Sequence, residues 1–488
     1  MPADIFLKWR IRGRIHKAWT ASVQRKSIEI QPRYTAGEVF CGIGGLSRGF
    51  HSLGFEPKFA NDVWPLALYN FLMNFDATYA ATSGTHHGDI LGLVGSVEDI
   101  SISDILPKIS SSSGEGSLKV GEIDVLLGGP PCQGFSLNSH VRSVQDPRNY
   151  LFRHYVRLLK GLSPKIFVLE NVPGMLSLEG GHFFEEFLRE VSLSTTVDCP
   201  GYEVRFKILN AAHYGVPQER FRVVVVGTRK DVADRAGVVS LPIPHHFSLA
   251  QAHFKGGRTH TFHYAIGRGK HPSTDQISHI GPQLEPFVTV IDAIGDLPKL
   301  TNGGGENVGR YGYNKDAPQL SKYQQNMRSD GELLANHWCR ALYPPNTERI
   351  KHIPAGGDWR SIPRDLLPPG MQRALRKDHT KRYGRLSPTQ LAGTLLTKPD
   401  PHWGTFIHYD LAQQRLISVR EAARIQSFPD RHVFYGGQVD QYRLCGNAVP
   451  PLMAQAIAKQ VKGVLDVYYG FDERKIFDKV VSARGPNT

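Results

Sequence analysis

IDVLLGGPPCQGF, residues Ile123 to Phe135, joins a short branched and leucine-rich run to paired glycines, paired prolines and a single thiol, Cys132. An apolar run this short, closed by turn formers, predicts a strand buried on both faces of a parallel sheet. The cysteine then stands at the strand's carboxyl end, the edge where open α/β sheets bind their ligands. Pro130 and Pro131 fix the backbone before the sulfur, while Gln133, Gly134 and Ser136 allow another chain or ligand to come close. Most free cysteines are small buried hydrophobes, but a packed thiol has no need of two prolines before it and a polar exit after it.

Working outward, similar strand-and-turn units flank this one. Glu38, Val39 and Phe40 lead into CGIGGLSRGF, a strand entering a glycine turn and then a helix. A dinucleotide fingerprint starting at Gly42 would need glycine at position 47, where Ser47 stands, so the spacing counts against NAD. Asp62 closes the next strand, where a carboxylate can accept both hydroxyls of a ribose. PLALYNFLMNF has its apolar residues at helical spacing and reads as a packing helix. Downstream, PKIFVLENVPGM is an apolar strand ending in Glu170, Asn171 and Val172. This puts a carboxylate at the same edge as the cysteine, although an isolated ENV more often caps a helix or makes a turn. Gln218, Arg220 and Arg222 alternate in QERFR, so they are expected to share one face of a strand, as a substrate contact or as salt-bridged surface.

GGPPCQGFS, VLENVPGM (Val168 to Met175), QERFRVVVVG (Gln218 to Gly227) and GNAVPP (Gly446 to Pro451) together resemble the cytosine-5 DNA methyltransferase family. The blocks stand in that family's order and span about Gly37 to about Lys462. The resemblance implies an α/β fold: a Rossmann-like, mostly parallel methyltransferase sheet with helices on both faces, and a smaller, irregular target-recognition domain. It implies S-adenosyl-L-methionine as cofactor, held by Phe40, Gly42, Gly44, Gly45, Leu46, Asp62, Val63, Asp89, Ile90, Pro131, Asn447 and Ala448. Asp62 is more often Glu in the family. Asp89 would meet the adenine amino group, with Ile90 packing on the ring. Cys132 would add to carbon 6 of cytosine, and Glu170 would hold or protonate ring nitrogen 3. Asn171 would steady that geometry, Arg222 would contact the base carbonyl or a neighbouring phosphate, and Arg220 and Gln218 would support them. Asn447 and Pro450 would lead into an amphipathic helix that packs beside the first glycine loop.

Organisation follows from the same blocks. Residues 1–34 form a basic extension, with eight Lys or Arg against Asp4 and Glu29 up to Arg33, readable as a phosphate-contacting arm or a solvated tail. The catalytic domain is placed at 35–243, the target-recognition and hinge region at 244–436, the returning helix at 437–466 and a polar tail at 467–488. ISSSSGEGS (Ile109 to Ser117) and SHVRSVQDPRNY read as surface loops, the second closing over the target, and Arg148, Leu151 and Phe152 open the next helix. Seven histidines between His245 and His279 carry no metal-ligand spacing. FVTVIDAIGDLP starts a helix. Arg360, Arg364, Arg373, Arg376, Lys377, Lys381, Arg382 and Arg385, interleaved with Trp359 and Tyr383, suit a DNA groove or a solvated basic face. VREAARIQSFPD (Val419 to Asp430) reads as a short helix pairing Glu421 with Arg424.

Composition sets outer bounds. The 488 residues carry 58 Lys and Arg against 45 Asp and Glu, a formal charge of +13 that fits a polyanionic partner. Five cysteines without a CxxC pair argue for a reducing compartment and against a disulfide framework. No apolar run reaches the roughly 20 residues of a membrane helix, and the start lacks the apolar block of a secretory signal. The expected partner is double-stranded DNA, with no membrane, a monomeric state and, in a bacterial setting, a cognate restriction endonuclease. The expected location is cytoplasmic in a bacterial or viral context and nuclear in a eukaryotic one. Two alternatives stay open: a transfer-RNA cytosine-5 methyltransferase, whose typical Cys-Phe-Thr signature is absent, and a catalytically silent DNA-binding regulator of the same fold.

Overall fold

A computed structural model of the chain describes residues 34–77, 79, 88–109, 117–131, 151–194, 198–247, 284–310, 319–328, 333–373, 383–397 and 406–471. Seven strands form one sheet: β1 (Tyr34–Val39), β2 (Phe55–Asp62), β3 (Leu91–Val94), β4 (Val125–Gly128), β5 (Ile166–Asn171), β6 (Tyr202–Asn210) and β7 (Phe221–Arg229). Their order is β3-β2-β1-β4-β5-β7-β6. Strands β1 to β5 run parallel, and β7 is inserted antiparallel between β5 and β6. The order reverses between β1 and β4, so the carboxyl ends of these two strands flank the switch point at which α/β sheets open a ligand crevice.

The expected buried strand is β4, and its neighbours explain why it is apolar at every position. Leu126, Phe167, Leu169, Val223 and Val225 face one core, with α3 (Leu151–Leu162) and α4 (His182–Ser192) supplying Phe152, Tyr155, Leu159, Phe183 and Phe187. Val125, Leu127, Ile166, Val168, Val224 and Val226 face the other. There they meet Leu46 and Phe50 of α1 (Gly45–His51) and Met453, Ala454 and Ile457 of the last helix, Pro451–Tyr469. With both faces covered, alternation disappears and a continuous apolar run remains. Burial of a single Leu or Val in such a layer stabilises by roughly 1.5–3 kcal/mol. PLALYNFLMNF forms the expected packing helix, α2 (Pro65–Phe75), with Ala67, Leu68, Phe71 and Leu72 buried.

The second unit is less regular. It holds a two-stranded antiparallel sheet, β8 (Gly305–Arg310) with β9 (Leu333–Trp338). A third core joins Val290, Ala293, Ile294, Val419, Ala423, Ile425 and Phe428. FVTVIDAIGDLP does start a helix, Val290–Ile294, which Thr289 caps and Asp292 closes as a capping box. The VREAARI helix, Val419–Ile425, is likewise boxed by Ser418 and Glu421 and is buried along its whole length.

Two expectations for this unit are overturned. Glu421 does not pair with Arg424: Arg415 takes both its oxygens at 2.7 Å, and His408 lies 3.4 Å away. Arg424 turns instead to Asp430 at 2.6 Å and Asp296 at 3.3 Å. The reason is geometric, since a bidentate guanidinium-carboxylate fork outcompetes a single i,i+3 contact. Nor do Trp359, Tyr383 and Arg385 line a groove. Both aromatics belong to a small core with Ile350, Ile353, Leu367 and Leu416, and Arg385 is buried, donating to the carbonyls of Ile350, Ile353 and His408 at 2.7 Å each. Arg376, Lys377, Lys381 and Arg382 lie outside the described residues. Among the described residues, no helix is long and apolar enough to cross a membrane.

Candidate active site

The register of the central strands assembles the site. Val39 pairs with Gly128, and Gly128 with Leu169, so the loops that leave β1 and β4 and the end of β5 come out side by side. Glu170 and Asn171 pair with Val224 and Val223 of β7, which brings Arg222 to the same edge. Cys132 and the segment to Tyr150, including Arg148, lie outside the described residues, as does most of the serine tract. The turn leading to Cys132 is described through Pro131.

Glu170 and Asn171 both address that turn. A Cβ built on Gly129 would sit 3.5 Å from Glu170 Oε2, and Asn171 Nδ2 donates to the Pro130 carbonyl at 3.3 Å. Asn171 Oδ1 accepts the Val172 amide at 2.8 Å, which fixes the side-chain amide's orientation. Arg222 Nε lies 2.8 Å from Glu170 Oε1, and Arg222 Nη1 donates to the Phe221 carbonyl at 2.7 Å. Yet Glu170 Oε1 accepts no aligned hydrogen bond, although it is buried. It is held by charge and keeps its lone pairs for something else.

The three long polar residues of QERFR do not share a strand face, because β7 begins only at Phe221. Arg220 is buried behind the edge, its amide donating to Asn210 Oδ1 at 3.2 Å. Gln218 is fully buried, and its side-chain amide is spent inside the protein. It accepts from the Leu395 amide at 2.9 Å and donates to Gln426 Oε1 at 2.6 Å and to the Ile425 carbonyl at 3.3 Å. A side chain so engaged supports the edge without touching what binds there.

The glycine loop stands across the switch point. Phe40, Gly42 and Gly44 have φ of 56°, 54° and 78°, the left-handed region that folds the chain back over the strand end. A Cβ at Gly42 would meet nothing within 4 Å, so that face of the loop is open, whereas one at Gly45 would lie 2.2 Å from the Val449 carbonyl oxygen. Leu46 turns into the core, leaving only its backbone for a ligand. Asp62 accepts the Gly42 amide at 2.8 Å and the Trp64 amide at 2.8 Å, one on each oxygen. Burial raises its carboxyl above the ordinary range, against the pull of those two amides. Each oxygen retains a second lone pair. Val63, next in the chain, is 68% exposed, an apolar platform at the strand end.

Asn447 ends the helix Gln438–Asn447 and is exposed, while Ala448 is buried and the Val449 carbonyl presses on Gly45. The GNA segment therefore lies against the glycine loop, and the following helix packs along α1, as expected. Asp89 and Ile90 stand beside the strand that Asp62 ends, and Ile90 shares a core cluster with Cys41 of the glycine loop. They precede β3, whose Leu91 is level with Phe59 and whose Val94 is level with Asp62. Ile90 packs with Ala60, Leu68, Phe71 and Leu72 in that cluster, and its amide donates to Asp76.

A glycine turn with room at Gly42, an acid with lone pairs to spare and an exposed apolar residue fit a nucleoside-bearing ligand at one side of the crevice. A carboxylate with an unspent oxygen fits a heterocycle at the other. Residues 34–463 match the family model of the C-5 cytosine-specific DNA methylases. The chain belongs to that family.

The methylase is 28% identical over 471 residues to the type II methyltransferase M.AgeI of Thalassovita gelatinovora, covering 87% of this chain and 98% of that one. It is 30% identical to the type II methyltransferase M1.HphI of Haemophilus parahaemolyticus, covering 87% of this chain and 85% of that one. A crystal structure of a putative DNA modification methyltransferase from an E. coli prophage superposes with a TM-score of 0.57 at 21% identity, covering 89% of this chain and 100% of that one, which is a likeness of fold. The methylase is thus a DNA (cytosine-5)-methyltransferase with a Rossmann-like sheet. Two features of its site escaped the sequence. The Arg222–Glu170 pair joins strands that nothing in the sequence marks as neighbours. Gln426, which accepts from Gln218 and donates to the Ala448 carbonyl, has as its one signal a long amide immediately after a short capped helix.

Proposed function

We propose that this methyltransferase acts on a cytosine flipped out of double-stranded DNA, through a transient bond to Cys132, with S-adenosyl-L-methionine as methyl donor. The observation that carries the reading is the buried Glu170 Oε1, which Arg222 holds at 2.8 Å without an aligned hydrogen bond, beside the turn that leads to Cys132. Carbon 5 of cytosine is a poor nucleophile until a thiolate adds to carbon 6. Glu170 then holds or protonates nitrogen 3, and this neutralises the charge that builds as sulfur adds. Asn171 keeps the Pro130 turn in place under the base.

The other thiols support the assignment by elimination. Cys41, Cys199, Cys339 and Cys445 are buried and in no disulfide, and burial pushes Cys445 up to about 12 and Cys41 well above its ordinary value. Buried as they are, none of these four is in reach of a base held at the sheet edge. The bound donor supplies a sulfonium methyl electrophile. Gly42 and Gly44 offer backbone to its amino-acid part, Asp62 its free lone pairs to the ribose, and Val63 an apolar contact. After transfer, loss of the carbon 5 proton and of sulfur restores the ring. Extrusion of the base costs on the order of a few kcal/mol, for which the recognition unit supplies contacts.

The type II names of the similar bacterial enzymes support a role as a modification enzyme paired with a restriction endonuclease, and the monomeric state is part of the proposal. Bisulfite sequencing of DNA from cells expressing the chain tests activity and site together, with converted DNA at every cytosine as the refuting result. Cys132→Ser is expected to abolish methyl transfer and the covalent adduct with 5-fluorocytosine DNA while cofactor binding persists. Full activity in that variant ends the mechanism.

A further inference from the structure

Three parts of the chain far apart in sequence meet at two buried amides. Gln218 sits four residues before Arg222, in the turn that delivers β7 to the active edge. Gln426 sits one residue past the VREAARI helix of the recognition unit. Both are 0% exposed. The Gln218 oxygen accepts the Leu395 amide of the recognition unit, and its nitrogen donates to Gln426 Oε1 at 2.6 Å. Gln426 Nε2 in turn donates to the carbonyl of Ala448, the residue before the carbonyl that presses on Gly45.

Every donor in this line faces an acceptor, so the line has a direction. It runs from the backbone at Leu395, through Gln218 and Gln426, to the backbone beside the glycine loop. Neighbouring bonds stiffen both ends. Ala392 and Glu219 are joined by a backbone bond at 2.9 Å, Thr394 Oγ1 donates to the Glu219 carbonyl at 2.8 Å, and the Leu452 amide donates to Ser427 Oγ at 3.1 Å. In a buried, low-dielectric setting a shift at one end cannot be absorbed by water, because none of these groups has an alternative partner without leaving another unsatisfied.

We infer that Gln218 and Gln426 are positioning residues that couple DNA held by the recognition unit to the setting of the cofactor loop. The inference rests on reading the glycine loop as the cofactor site. DNA that shifts the Leu395 segment changes the energy of the relay, and the relay sets the Ala448–Val449 backbone against Gly45. By reciprocity, a filled cofactor loop favours the recognition unit's DNA-bound setting by the same factor.

Equilibrium dialysis of labelled S-adenosylhomocysteine tests this. The full chain is measured alone and with a saturating duplex carrying the site that bisulfite sequencing reports. The wild type is expected to bind the probe more tightly with DNA, by a factor in the usual range for coupled sites, roughly 5- to 150-fold. Gln426→Met and Gln218→Met keep the side-chain length and remove the hydrogen bonds. Each is expected to reduce that factor at least about fivefold, and the double variant is expected to reduce it no further than the worse single. The factor is a ratio taken on folded protein, so a merely structural loss lowers the melting temperature and leaves it unchanged. That result overturns the inference, as does a wild type in which DNA gives no gain. A wild type that fails to bind the probe at all removes the cofactor reading and the inference with it.

Discussion

Alanine at Gly49 and alanine at Gly463 are the same chemical change inside two helices, and the structure assigns them opposite signs. In a helix interior the replacement is worth about 0.8–1.0 kcal/mol in favour of alanine. At Gly463, in the long C-terminal helix, a Cβ would meet nothing within 4 Å, so that gain stands alone. At Gly49 the Cβ would lie 2.4 Å from the Gln455 amide nitrogen and 2.5 Å from Ala454 Cβ. Neither neighbour can rotate away, since one is backbone and the other is a methyl on a buried helix face. To restore an ordinary contact the two helices must part by about 1 Å, which loosens the core shared by Phe50, Met453, Ala454 and Ile457. Overpacking of this kind costs typically 1–3 kcal/mol, and with backbone in the clash the upper end applies. The expected net loss for Gly49→Ala is therefore about 2 kcal/mol, against a gain of about 1 kcal/mol for Gly463→Ala. Urea denaturation followed by circular dichroism reads both. If Gly49→Ala proves as stable as the wild type, the two helices are not packed as described, and the placing of the GNA segment against the glycine loop loses its support.

Glu170→Gln is expected to slow methyl transfer about 10²- to 10⁴-fold with little change in DNA affinity by gel shift; an unchanged rate removes Glu170 from its role. Glu421→Gln leaves Arg415 buried without its carboxylate and is expected to cost about 3–5 kcal/mol in urea denaturation. Despite burial, Arg415 and His408 hold Glu421 well below the ordinary carboxylate value of 4.5. Its stabilisation is thus present above that pH and lost as pH falls below it, so the variant should show a shallower acid limb. Glu38 behaves oppositely. Buried beneath the glycine loop, its carboxylate bonded to Ser47, it is pushed up from 4.5 to about 8. The folded state keeps a proton that the unfolded chain has released, so its contribution is full below 4.5 and declines as pH rises to about 8. The wild type should lose up to about 1.4 kcal/mol per pH unit in that window relative to Glu38→Gln, and parallel stability curves for the two would refute this.

The parallel core was legible because strands covered on both faces leave an unbroken apolar run, as in β4 and β5. The antiparallel insertion of β7 was not, since a period of two is the same in either direction. The placement of site candidates was legible where they close a strand, as for Glu170, Asn171 and Asp62. It was illegible where the role depends on which strand lies alongside, as for the Arg222–Glu170 pair, or on where a strand begins. The short β3 starts only after Asp89, so the strand position of that residue could not be read from the sequence. Glu421 was assigned the wrong partner because spacing along one helix says nothing of Arg415, which approaches from outside that helix.

Trp359, Tyr383 and Arg385 show a more general ambiguity. A segment with little regular structure leaves its carbonyls without ladder partners, and in the described parts of the second, less regular unit arginines take that place. Arg385 serves three carbonyls, and Arg420 serves those of Ala335, Pro429 and His432. Arg415, Arg420 and Arg424 are among the largest fully buried side chains described. A basic, aromatic-rich composition is therefore what an irregular buried scaffold needs as well as what a DNA groove needs, and the sequence cannot separate the two uses. The charge of +13 is correspondingly a poor measure of the surface that meets phosphate. Part of it is spent on internal carbonyls, for which the planar, five-donor guanidinium is suited and a lysine ammonium is not.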